Sequence, residues 1–178
     1  MGNTKAMIRF IFGVVATLIV FAVGAFAAVF LGLVPATADV PPPAIEKWVA
    51  RASLGATISR DAPQPPYPVA SSDAAIDAGA KLYTQHCAMC HGSAVDKPTM
   101  MAKGLYIDPP QFGKHGVDDD PEGETYWKIE HGIRFTAMPA YKGNLTEEQI
   151  WQLAYFLKNA PDHLPPAAQA EWHKAVTE

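Results

Sequence analysis

Cysteine is scarce. The 178 residues hold two, Cys87 and Cys90, which excludes a scaffold stapled by several disulfides and a four-cysteine zinc site. Acidic residues are missing before Asp39, and no charge of either sign lies between Phe10 and Ala38. From Asp39 onward 12 basic residues face 18 acidic ones, a net −6, so the basic surface that nucleic acid requires is absent. No segment alternates polar and apolar residues over a useful length, and no internal repeat is visible. The pattern therefore predicts an all-α chain.

The uncharged stretch comes first. An apolar run from Ile11 to Val34 exceeds the ~20 residues that span a bilayer as a helix, with Lys5 and Arg9 before it and Asp39 after. This divides the chain into a cytoplasmic N-terminus, 1–9, and a transmembrane anchor, 10–34, with the remainder across the membrane. The competing reading is a cleaved signal peptide, for which Ala36 to Ala38 resemble a cleavage site. The run is longer than the usual ~7–15-residue apolar region of a signal. The start "MGNTKA" lacks the Ser or Thr of a myristoylation site.

Residues 35–72 read as a proline-rich linker, holding 8 of the 16 prolines. Within it, Ile45, Trp48, Val49 and Ala52 share one face of a helix expected near 44–58. That face must bury against the bilayer interface, the main domain or a partner subunit, and Trp48 suits the first.

The main domain is expected over 73–160, with a C-terminal extension over 161–178. Ser72 or Asp73 caps its first helix, which runs to about His86. Ile76, Gly79, Ala80, Leu82 and Tyr83 mark the buried side, and Gly79 permits a close helix crossing. A middle helix is expected from about Glu124 to Glu130. The last has a capping box, Thr146 with Gln149, a staple of Leu145 and Ile150, and a stop at Pro161. A short helix after Pro166 completes the set. Three main helices and long loops leave the domain short of core, and such folds add a disulfide, a metal or a cofactor.

The stretch "QHCAMCHGS" answers that shortage. A two-residue disulfide loop removes little chain entropy. Zinc needs a second ligand pair, and His86, His115, His131, His163 and His173 are scattered. Cys87-x-x-Cys90-His91 is instead the attachment pattern of c-type haem. Two thiols take the two vinyl groups of one porphyrin edge, and the histidine, one residue on, reaches the iron. The opposite ligand is read as Met138, in a loop fixed by Pro139 and leading into the capped helix. Met100 and Met101, and His115 or His131, are the rivals. Arg134, Tyr141 and Trp127 are candidates to touch the haem propionates. The acidic run 116–124 lacks calcium-loop spacing and reads as a solvated loop.

In order, Gly79…Tyr83, Cys87-Ala-Met-Cys90-His91, "GIRFTAMPAY" and "IWQLAYFL" resemble the class I c-type cytochromes, specifically the bacterial membrane-anchored monohaem kind. The resemblance spans roughly 73–160. It implies a small cytochrome c fold around one covalent haem c, with Gly79 and Tyr83 crossing against Tyr155. It also implies that a proline carbonyl orients His91, with Pro110 chosen over Pro98 and Pro109. Ala137 stands where relatives often have glycine. Iron held by His91 and Met138 has no vacant position, so one-electron transfer is expected, at a potential raised by the thioether. The expected partners are the membrane, a quinol-oxidising complex or periplasmic dehydrogenase as donor, and an oxidase or other cytochrome as acceptor. The expected place is the bacterial inner membrane with the haem domain in the periplasm. A fixed subunit of a larger oxidoreductase complex is the alternative. A haem-based sensor lacks a visible output domain.

Overall fold

The computed structural model describes residues 2–94, 97–113, 117 and 119–174. It divides into two units, 1–37 and 38–178. Among the described residues there is no strand, only an isolated bridge between Lys142 and Leu145.

The first unit is helix α1, Gly2–Phe30, closed by Gly32 at φ +70°. Its apolar side chains, from Phe10 to Phe30, are exposed. At 29 residues it is about 44 Å long, enough to cross the ~30 Å hydrocarbon core.

The second unit holds α2 (Ala44–Asp61), α3 (Asp73–His86), the single turn α4 (Ala88–His91), α5 (Glu122–His131), α6 (Glu147–Asn159) and α7 (Pro166–Trp172). A short 3₁₀ turn, Ala102–Gly104, lies in the long loop after α4. Ser72 caps α3 by accepting from the Ala75 amide. At α6 both halves of the capping box are formed between Thr146 and Gln149. Helix α2 runs three residues past the expected end, stopping where Pro63 follows Ala62. Helix α5 starts two residues early, so that Glu122 and Glu124 both lie in its first turn, where the helix dipole favours acids.

Helix α3 packs across α6 at Gly79. A Cβ there would lie 2.1 Å from the Gln152 carbonyl oxygen and 2.8 Å from Phe156 Cβ. Only glycine allows the two backbones this close. The partners at the crossing are Gln152 and Phe156, not the expected Tyr155. Tyr83 stacks obliquely on Phe156, ring centres 5.2 Å apart, whereas Tyr155 points away and donates its hydroxyl to the Val69 carbonyl.

Two segments expected outside the domain belong to its core. Within the proline-rich 62–70 stretch, Tyr67 lays its ring 4.6 Å from that of Trp151 and its hydroxyl accepts from the Gly123 amide. The C-terminal extension folds α7 against α3. Trp172 sits 5.2 Å from Tyr83 and 5.5 Å from Phe156, and Asp77 caps α7 through the Ala168 amide. Proline keeps 62–70 out of regular helix, not out of packing, and α7, at seven residues, is too short for periodicity to mark its buried face. Their aromatic rings bury wherever a neighbouring surface accepts them. The shortage of core expected from 73–160 alone is thus partly met by Tyr67 and Trp172.

Candidate haem site

Helix α3 delivers Cys87 at its end. The Cys87 amide still bonds the Tyr83 carbonyl, and the next turn, α4, is held by Cys90 and His91 amides on the Cys87 carbonyl. This places Cys87, Cys90 and His91 on consecutive edges of one tight turn. Gly92, at φ +71°, reverses the chain, and the buried Tyr83 hydroxyl fixes the reversal by donating to the Gly92 carbonyl at 2.8 Å. No disulfide joins the cysteines. Burial first, and the neighbouring Cys90 second, push the Cys87 thiol up to about 12.

The His91 ring is oriented from two sides. Its Nδ1 lies 2.8 Å from the Pro110 carbonyl oxygen, and Phe112 stacks parallel to it, 7° off and 4.8 Å away. A carbonyl can only accept, so Nδ1 carries the hydrogen and Nε2 presents a lone pair. Burial lowers the His91 pKa, opposed by the Pro110 bond, and keeps the ring in this neutral form. Metal-binding histidines are held in this way, one ring nitrogen bonded to a carbonyl so that the other is aimed at the metal. The loop carrying Pro110 is tied back to the motif. Gln111 Nε2 donates to the carbonyls of Cys90 and Pro109, both at 3.0 Å. Neither Pro98 nor Pro109 is the residue whose carbonyl meets the ring.

Met138 lies in the loop between α5 and α6, half-buried against the core. Gly132, at φ +66°, lets this loop fold back, since a Cβ there would sit 2.6 Å from the Pro139 carbonyl carbon. The turn is closed by Ile133 amide to Met138 carbonyl and by Met138 amide to Thr136 Oγ1. Phe135, within it, is held at φ +63° and stays exposed. Tyr141 joins this loop to the cysteine motif by donating to the His86 carbonyl at 2.9 Å.

Met100 and Met101 are exposed beside the 3₁₀ turn, on the chain segment that Thr99 ties to the Met89 carbonyl. His131 faces Glu130 at 3.3 Å and the Trp127 ring at 4.9 Å. His115 lies outside the described residues, as do Gly116 and Asp118 of the acidic run. Asp120 of that run pairs with Lys128. Of the candidate propionate contacts, Tyr141 spends its hydrogen on His86, Trp127 stacks on His131, and Arg134 is exposed. Two residues were missed by sequence reasoning. Phe112 and Gln111 lie next to the chosen Pro110, and no spacing rule marks them.

The donor set fits a covalently held haem. Two unbridged thiols and one imidazole with a free Nε2 share a single turn, while a thioether comes from a separate, glycine-hinged loop. Fold and motif together define a small helical haem protein. The comparisons carry this to a family. The family described as "Cytochrome C oxidase, cbb3-type, subunit III" matches residues 74–157. Cytochrome c6 of Synechococcus elongatus is 33% identical over 81 residues, 44% of this chain and 83% of that protein. Cytochrome c6 of Thermosynechococcus vestitus is likewise 33% identical, with 64% of its length covered. Among solved structures, the Kuenenia stuttgartiensis reducing HAO-like protein complex superposes with a TM-score of 0.45 at 22% identity, over 57% of this chain and 52% of that one. The chain belongs to the class I c-type cytochromes. Its cofactor is covalent haem c and its function is electron transfer.

Proposed function

We propose that this chain is a membrane-anchored monohaem cytochrome carrying single electrons outside the cytoplasm. Cys87 and Cys90 would hold the porphyrin through thioether bonds, and His91 and Met138 would ligate its iron. The observation that carries this reading is the 2.8 Å bond between His91 Nδ1 and the Pro110 carbonyl, one residue beyond the cysteine pair. It aims the Nε2 lone pair and makes the imidazole a stronger donor. The haem supplies a reversible one-electron couple at its iron. His91 and Met138 would leave that iron no open position, and the thioether would favour its reduced state relative to a second histidine. Helix α1 tethers the domain to the bilayer, with Lys5 and Arg9 on the cytoplasmic side. The donor is a quinol-oxidising complex or periplasmic dehydrogenase, and the acceptor an oxidase or another cytochrome.

A redox titration of the detergent-solubilised full chain tests this. One n = 1 wave, with low-spin iron in both oxidation states, supports it. Two waves, or a high-spin component in either state, would count against it.

A second reading is favoured by the description of the family matched over 74–157. In it the chain is a fixed subunit that receives electrons within a larger membrane oxidoreductase. Co-purification with other membrane subunits after mild detergent extraction supports that reading, and a free monomer supports the carrier.

A further inference from the structure

Met138 is carried by a loop that closes on itself. Its carbonyl accepts from the Ile133 amide at 3.3 Å, and its amide donates to Thr136 Oγ1 at 3.1 Å. The Thr136 hydroxyl in turn donates to the Ile133 carbonyl at 2.7 Å. These bonds give the loop its shape. None of them fixes its distance from the cysteine turn.

Tyr141, three residues on, bears on that distance from both sides. Its backbone is locked to α5. The Tyr141 amide donates to the Ile129 carbonyl at 3.1 Å, and the next amide, of Lys142, donates to the Glu130 carbonyl at 3.0 Å. The Tyr141 carbonyl accepts from the Asn144 and Leu145 amides, which turn the chain toward α6. The side chain reaches the other way. The last carbonyls of a helix have no amide within it to accept from. At the end of α3 the His86 carbonyl accepts from the Tyr141 hydroxyl at 2.9 Å. The His86 ring stands edge-on to the phenol ring, centres 6.1 Å apart. Cys87 follows His86 directly, so this bond joins the segment 133–141 to the start of the turn that carries Cys87, Cys90 and His91.

We infer that Tyr141 is a positioning residue for the axial thioether: its hydroxyl, held on the end of α3, sets where the Met138 loop stands relative to the cysteine turn, and so how firmly Met138 keeps its place on the iron. This rests on Met138 being the sixth ligand. The hydroxyl is spent on the His86 carbonyl, so Tyr141 acts through the position of the loop. A tethered ligand competes with free ones through its effective concentration, and a looser tether lowers that concentration. The competition is keenest in ferric protein, because a thioether favours ferrous iron.

The test is imidazole binding by the full-length ferric haem protein in detergent. It is followed through the weak near-infrared charge-transfer absorption that a thioether gives ferric haem, which is lost when imidazole takes the sixth position. Tyr141→Phe keeps the ring and removes one hydroxyl. It should lower the imidazole concentration that halves the absorption by about fivefold, the worth of one ordinary hydrogen bond. Ser72→Ala removes the cap at the opposite end of α3, and should weaken the fold in urea without moving that concentration. An unchanged concentration in Tyr141→Phe overturns the inference. An equal fall in Ser72→Ala also overturns it, since the effect would then be one of general stability. Absence of the absorption from the unsubstituted ferric protein would overturn ligation by Met138, and this inference with it.

Discussion

The domain has a packed side and a site side, and they are held by different forces. On the packed side α3, α6 and α7 interlock through Gly79, Phe156, Tyr83 and Trp172, with Trp151 buried between Tyr67 and Tyr126. Ring stacking and close backbone approach do the work there. On the site side, the cysteine turn, the Pro110–Phe112 segment and the Ile133–Tyr141 loop hang on individual hydrogen bonds, donated by Tyr83, Gln111 and Tyr141 and accepted by Thr136 from the Met138 amide. A region held by packing is stable by itself. A region held by a handful of polar bonds is shaped for something that completes it.

The largest expected break is Cys87→Ser with Cys90→Ser. Covalent haem should be lost, and hydrogen exchange should quicken through 87–112 and 133–141 while the amides of α6 stay protected. Equal loss of protection in both regions would erase the distinction. Next is Gly79→Val. Replacing an ordinary helix glycine stabilises by up to ~1 kcal/mol. Here the backbone contact reverses the sign, and urea midpoints should show a loss of about 3 kcal/mol.

Tyr83→Phe sits on the boundary. It leaves the buried Gly92 carbonyl without its donor, at a cost of about 1–2 kcal/mol, and should perturb the haem spectrum because Gly92 follows His91. It should also change the alkaline limb. Burial, with smaller contributions from Cys87 and Cys90, holds the Tyr83 phenol well above its usual range. The unfolded chain ionises first, so stability falls as pH rises past about 10, and Tyr83→Phe should flatten that slope. The smallest effect is Thr146→Ala. Loss of half the capping box should cost about 1 kcal/mol in the urea midpoint and leave the visible spectrum unchanged.

The same division governs what the sequence discloses. The caps are local: Thr146 is read directly from residue order, and the α3 cap is narrowed to Ser72 or Asp73, of which the structure uses Ser72. Cys87, Cys90 and His91 are legible because thioether chemistry demands that spacing. The partner of Gly79 is less so: one helical step separates Tyr155 from Phe156, and tertiary register decides between them. Tyr67 joins the core from irregular, proline-rich backbone, of which periodicity says nothing, and Trp172 from a seven-residue helix too short to show an apolar stripe. Gln111 and Phe112 act across a loop closure, which spacing does not encode.

We propose that His91 and Met138 together leave the iron of the bound haem no open position. Carbon monoxide added to the reduced full-length protein at neutral pH tests it most directly. The account predicts no change in the visible spectrum, and rapid carbon monoxide binding once Met138→Ala opens the sixth position. Ready binding by the unsubstituted protein, or an unchanged spectrum in Met138→Ala, would contradict it.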